Sequence, residues 1–229
     1  MRALLILCVC LLSGCVSLLP PATPRRQNVM LHPDFKFSAH LKPVQWSLAI
    51  ERPLTTDLLD SKRIILNIEN EKGIRTLETL ADIEWNDRLP LLLQQQLISA
   101  FEQSNKITGV GQDEEDFQAH FTLQINIRTA EILLTGTSQQ KALVELSARL
   151  ISKKDRKVIA QHSFKKLSPI TERTQKAFLQ SYQHVFGDII SEIVTWSFKE
   201  GSDAFKKDSS KISYAMAGWK KTSINGFFS

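Results

Sequence analysis

From Val44 the chain alternates in hydrophobicity, with Val44, Trp46, Leu48 and Ile50 apolar and Gln45, Ser47, Ala49 and Glu51 between them. A period of two predicts a half-buried strand, and Pro53 ends it. A second strand is predicted over Arg63 to Glu69, with Ile64, Leu66 and Ile68 on one face, and a third over Ile74 to Leu80 after a turn at Gly73. The period then changes. Leu89, Leu92, Leu93, Leu97, Ala100 and Phe101 recur at helical spacing, with glutamines and Glu102 filling much of the rest. Proline is tolerated only in a helix's first turn, so Pro90 places the start near Asn86 to Leu89, with Asn86 or Asp87 available as cap. Strand spacing returns in Ala119, Phe121, Leu123, Ile125 and Ile127, and again in Ala142, Val144, Leu146, Ala148 and Leu150 after a loop around Gly136. Lys153 to Arg156 form a polar turn, and Val158, Ala160, His162 and Phe164 complete a hairpin that Pro169 is expected to end. A long helix is predicted from about Thr171 to Phe198, its stripe running through Phe178, Tyr182, Val185, Phe186, Ile189, Ile190, Ile193 and Val194.

Two amphipathic helices and five or six strands predict an α+β fold, a two-layer sandwich of a mixed or antiparallel sheet with both helices on one face, over residues 44 to 198. A domain of that size buries about two-thirds of the surface its unfolded chain exposes, enough for a stable core without staples. Residues 15 to 43 carry Pro20, Pro21, Pro24, Pro33 and Pro43 and read as a Pro-rich tether, about 90 Å long if fully stretched. Beyond Phe198 the composition turns to Lys, Ser and Gly, with Ile212, Tyr214, Met216, Trp219, Phe227 and Phe228 scattered through it. Residues 199 to 229 therefore read as a tail, either disordered or a docking segment that folds on a partner.

Charge adds little to this picture. The chain has 29 basic and 24 acidic side chains, but Arg2 stands at the very start, and six lysines with three acids lie in residues 199 to 229. The body is thus nearly neutral and has no electrostatic footprint for nucleic acid.

Catalytic and metal chemistry find no pattern. The five histidines, His32, His40, His120, His162 and His184, have no spacing that would place a zinc ion, and there is no phosphate-binding glycine loop or nucleophile elbow. Asp113 to Asp116 lack the alternating oxygens and internal glycine of a calcium loop and read as a solvated loop. His162 shares an apolar face and reads as a core or rim histidine. No catalytic, cofactor-binding or metal-binding residue is expected, and the chain reads as a binding module rather than an enzyme.

The start of the chain carries the one sharp motif. Arg2 is followed by ten largely apolar residues, Ala3 to Leu12, the last of which opens Leu12-Ser13-Gly14-Cys15. Ten residues make about 15 Å of helix, half of what a bilayer core requires, so this is a removable leader and not a span. The four residues match the lipobox of bacterial lipoproteins. A small pair lets a signal peptidase reach the backbone before Cys15, whose thiol takes the lipid. Residues 1 to 14 are therefore read as a lipoprotein signal peptide. Cys8 and Cys10 leave with it, and Cys15, lipidated, is the remaining cysteine, so no disulfide is available.

Between the lipobox and residue 196 the segments VQWSLAI, RIILNI, EWNDRLPLLLQQQLISAFEQSNKI, FTLQINIRTAE, ALVELSARLISKKDRKVIAQHSFKKLSPI and IVTW occur in that order. The whole resembles the ABC-type transport auxiliary lipoproteins. The helix-start motif Trp85, Asp87, Leu89 and Pro90 and the hairpin from Leu146 to Phe164 are its most specific parts. The resemblance implies a non-enzymatic adaptor of an MCE-type lipid transport system, held by acyl chains such as palmitate in the outer membrane and facing the periplasm. Its implied partner is a periplasmic MCE-domain protein, with phospholipid or sterol as the lipid moved. Val16 and Ser17 offer no aspartate to retain the protein in the inner membrane. Two alternatives stand beside this reading: a structural or assembly lipoprotein of the outer membrane, and a shuttle holding an acyl chain between helix and sheet.

Overall fold

The computed structural model describes residues 26–115, 117–135 and 140–225, with side chains to residue 210. In chain order the elements are β1 (Gln27–Val29), β2 (Ser47–Ile50), β3 (Ile65–Glu69), β4 (Arg75–Thr79), β5 (Ile83–Trp85), α1 (Leu89–Gln103), β6 (Gly109–Gln112), β7 (Phe121–Thr135), β8 (Gln140–Ser152), β9 (Val158–Ile170) and α2 (Gln175–Asn225). The expected signal peptide, residues 1–14, and the expected lipobox, Leu12 to Cys15, lie outside the described residues.

The sheet is organised on β7. Along one side, β7 pairs antiparallel with β8 over its whole length, and β8 pairs antiparallel with β9. Its other side is shared. β2 lies parallel to its start, Leu48 opposite Phe121, and β3 lies parallel to its end, Ile65 opposite Glu131. Leu54 bridges Asn126 between them. β6 extends the sheet beyond β2 and β4 beyond β3. Among the described residues seven strands thus form one mixed sheet that does not close, with β1 and β5 a separate parallel pair, and the predicted α+β class holds. The pattern concealed β1, β5 and β6: the first two have three residues each, too few to show a period, and Gly109 and Gly111 gave β6 no alternation.

Three departures have physical causes. The apolar period of β7 slips at Arg128, so the simple alternation stops at Ile127; a bulge between Ile127 and Thr129 absorbs the extra residue, and Ala130 and Ile132 return to the buried face. β2 is buried at all four positions, Ser47 and Ala49 included, because it lies between β6 and β7 with cover on both faces. Pro169 does not end β9. It stands opposite Lys141 on an edge strand, where one side of the backbone has no ladder to lose.

Neither Asn86 nor Asp87 caps α1. Arg88 holds the cap position without a side-chain bond, while the Asp87 carboxylate accepts the Arg88 N–H at 2.7 Å. The Ser61 carbonyl accepts the Leu89 N–H at 3.1 Å, and Pro90 has none to satisfy, so the exposed donors of the first turn are reduced by other means. Gln94, on the nominally polar side, is buried and donates to the Ile50 carbonyl at 2.9 Å.

The helix α2 has 51 residues, about 77 Å at 1.5 Å per residue. Its apolar stripe packs on β8, β9 and α1, pinned by two aromatic clusters. Trp85 meets Tyr182 edge-on at 5.8 Å near the start, and Trp46 meets Phe121 at 5.4 Å and Phe198 at 5.6 Å further along. The segment from Lys199, read as a tail, continues the helix. Extending a helix already nucleated and packed is far easier than starting one, and lysine and serine do not prevent it. Gly201 lies against the Trp46 indole, where a Cβ would come within 2.8 Å of Cζ2.

Residues 26–43 are not a tether. β1 pairs with β5, Leu31 is 2 % exposed, and the segment runs down α2. Its backbone is satisfied by helix side chains: His32 N–H donates to Gln183 Oε1 at 2.8 Å, Gln183 Nε2 returns a bond to the Met30 carbonyl at 2.8 Å, and Lys36 N–H donates to Ser191 Oγ at 3.0 Å. At Gly187 the Asp34 carbonyl crosses so closely that a Cβ would overlap its oxygen.

Candidate functional site

The chain begins its described course at one end of the sheet. Gln27 N–H donates to the Asp82 carbonyl at 2.8 Å, Arg26 lies 3.6 Å from Glu84, and the first residue of α2, Gln175, reaches Asp82 at 3.4 Å. Thirty residues along α2, about 45 Å away, lies a groove of about 1060 Å³.

The groove is built from three pieces. One wall is the turn between β8 and β9, closed by Ser152 N–H donating to the Lys157 carbonyl at 2.9 Å, with Arg156 at a positive φ of 56°. The Ser152 hydroxyl, and then Lys157, hold the Asp155 carboxyl below its usual range. The opposite wall is α2 from Glu200 to Asp208, braced by Lys154 Nζ on both Asp208 oxygens at 2.9 and 2.8 Å. Between them lies the start of β7. His120 Nδ1 accepts the Ser47 N–H at 3.1 Å, so a neutral imidazole carries its proton on Nε2, and its ring meets Phe205 edge-on at 5.3 Å. Val158 and Ile159 are left 55 % and 36 % exposed on the rim. The lining is mixed: Val158, Ile159, Ala204 and Phe205 lie among charged side chains, several of them paired, as Lys154 is with Asp208 and Lys153 with Asp113 at 2.7 Å.

Close by, Glu51 is half-covered by the sheet edge. Burial pushes its carboxyl above the ordinary value, opposed in part by a hydrogen bond from Gln124, and Asp113 adds to the rise.

Such a groove suits docking better than chemistry. Ser47 lies 2.9 Å from His120, but its hydroxyl also donates to the Gln118 carbonyl at 3.0 Å and the residue is nearly buried, so the pair fastens β2 to the start of β7. Among the described residues no three His, Cys, Asp or Glu side chains converge as a metal site. A second depression of about 690 Å³ includes His162, which is exposed and packs on Phe164 at 4.6 Å and Trp196 at 6.5 Å, a rim histidine.

Of the residues singled out in the sequence, Trp85, Leu89 and Pro90 are buried, with Asp87 half-buried beside them. Trp85 N–H donates to the Lys62 carbonyl at 2.8 Å, and this group fastens the start of α1 to the β2–β3 connection. It lies at the other end from the groove. The groove itself was only partly legible: the basic turn beside Val158 and Ile159 was visible, while no spacing announced that Phe205 would meet His120.

A family model described as the ABC-type transport auxiliary lipoprotein component matches residues 36–194. The chain belongs to this family. Auxiliary lipoproteins of this kind are a transport-associated and not a catalytic family, which places the chain among membrane-associated lipoproteins; no described helix is long and apolar enough to cross a membrane. The fold of this auxiliary lipoprotein is similar to that of protein XCC0632 of Xanthomonas campestris, with a TM-score of 0.71 at 22 % identity over 79 % of this chain and 99 % of that one. A second crystal structure, of an uncharacterized protein, matches at a TM-score of 0.53 and 10 % identity, covering 71 % of this chain and 97 % of the other. In sequence, an uncharacterized protein of Bradyrhizobium diazoefficiens is 26 % identical over 157 residues, 68 % of this chain. The chain spans 40 % of that relative's length.

Proposed function

We propose that this auxiliary lipoprotein is the lipid-anchored adaptor of an MCE-type ABC lipid transport system, held by Cys15 in the outer membrane and docking a periplasmic MCE-domain protein through the groove between the β8–β9 turn and α2. Energy comes from the transporter's ATPase, and this chain holds its partner in place. The observation that carries the reading is the separation of about 45 Å between the end where the chain leaves for its anchor and the groove at the other. An anchored adaptor needs its docking surface away from its own membrane. Exposed apolar side chains such as Val158 and Ile159, set among polar and charged ones, are the form non-obligate docking surfaces take.

The test is affinity isolation of the full lipoprotein from detergent extracts. Wild type should bring down the MCE-domain protein, and Ile159→Glu, at an exposed rim position, should bring down little. Equal recovery by the variant removes the groove from the account, and no recovery by wild type removes the adaptor. Phospholipid retained on the purified protein in native mass spectrometry would favour the shuttle instead.

A further inference from the structure

We propose that the tip of the β3–β4 hairpin, Asn70 to Leu77, rests on the bilayer that holds the anchor and so fixes the orientation of the domain. This rests on the lipid-anchor reading of Cys15. Because residues 26–43 are bound along α2, only residues 15–25 separate the lipid from the fold, and eleven residues span at most about 37 Å in any conformation. The end of the sheet at which Arg26 stands cannot move further from the membrane than that.

The hairpin extends from this same end. Its base is closed by Leu80 N–H on the Ile64 carbonyl at 3.1 Å, two residues from the Asp82 carbonyl that binds Gln27. β3 then runs parallel to β7 until Glu69 stands opposite Thr135, the last residue of β7, and the turn at Gly73 lies beyond it. Five strand residues carry the tip about 17 Å past its base, well inside the span of the leash.

The surface of the tip suits a lipid headgroup layer. Ile74, just before β4, is 57 % exposed and Leu77, on it, 56 %, and among the described residues β4 has no neighbour on its outer side. Charge neither attracts nor repels strongly: Arg75 is paired with Glu69 at 3.1 Å and Lys72 adjoins Glu71, leaving Glu78 towards the base. Two apolar side chains would bind a membrane weakly from solution, but a lipid-held protein meets its bilayer at high effective concentration, where weak contact suffices to orient it. Unpaired backbone groups along β4 keep the strand out of the hydrocarbon, so the tip lies at the headgroup level. A second copy fits less well, because antiparallel pairing along β4 would turn its tip away from the shared bilayer.

The experiment uses the full lipoprotein in vesicles of phosphatidylethanolamine and phosphatidylglycerol. With Cys15 lipidated, Ile74→Cys supplies a single free thiol for an environment-sensitive fluorophore, and Val158→Cys supplies the same at the groove. Quencher-bearing lipids should reduce emission several-fold more at position 74 than at 158. Equal quenching at both positions, or none at 74, overturns the proposal while the vesicles still float with protein bound. Failure of the protein to float with the vesicles overturns the anchor itself, a result read separately in the same gradient.

Discussion

Replacing Gly187 by alanine separates the tether suggested by the prolines from the packed segment that the fold contains. In a helix interior alanine is favoured over glycine by about 1 kcal/mol, so if residues 26–43 hung free, Gly187→Ala would stabilise the protein by that amount. In the structure the new Cβ would overlap the Asp34 carbonyl oxygen, with the carbonyl carbon at 3.4 Å and Pro33 Cβ at 3.5 Å. Backbone, not a flexible side-chain end, has to give way. Overpacking of this kind costs about 1–3 kcal/mol. Lifting the crossing also loosens three hydrogen bonds, from Gln183 and Ser191, worth about 1 kcal/mol each, offset by the entropy the freed segment regains. A net loss of about 1–2 kcal/mol is expected. In urea, with a slope near 2–3 kcal/mol per molar, the midpoint should fall by about half a molar, read on the chain from Val16 onward. Proteolysis at Lys36 should quicken in parallel. A variant as stable as wild type, or more so, refutes the packed segment.

Three further outcomes follow from the same structure. Gly201→Leu should destabilise by about 1–3 kcal/mol and shift tryptophan emission, because the side chain must enter the space of the Trp46 ring; unchanged emission and midpoint would remove that contact. Glu51, whose carboxyl is raised by burial, contributes stability that is full below its ordinary pKa of about 4.5 and is lost as pH rises through the raised value, so Glu51→Gln should match wild type near pH 4 and exceed it slightly at pH 7. Solvent screening keeps that gain small, and a variant less stable than wild type at pH 7 reverses the sign. Cys15→Ala should leave an unprocessed precursor in the inner membrane, seen as a slower band in fractionated cells, and normal cleavage and sorting would contradict the lipobox reading.

What the sequence made legible was whatever repeats with a period. The stripe of α2 from Phe178 to Val194, the alternation of β8 from Ala142 to Leu150 and the start of α1 beside Pro90 are each where the pattern placed them. Residues 26–43 escaped because their hydrogen bonds go to side chains of a helix about 150 positions away, which leaves no local trace. The bulge after Ile127 hid the second half of β7, and the run of α2 past Phe198 was masked by a composition that suits a tail as well as a solvated helix. The groove depends on three segments meeting, His120, the 153–157 turn and Phe205, and no single stretch carries it. The lipobox was the reverse case, plain in sequence and outside the described residues.

The most direct test of an adaptor that faces away from its anchor is site-specific photo-crosslinking in intact cells, with the reactive side chain placed at Ile159 or at Leu77. The account predicts that position 159 captures the MCE-domain protein and position 77 does not. Capture from position 77 with none from 159 would contradict it.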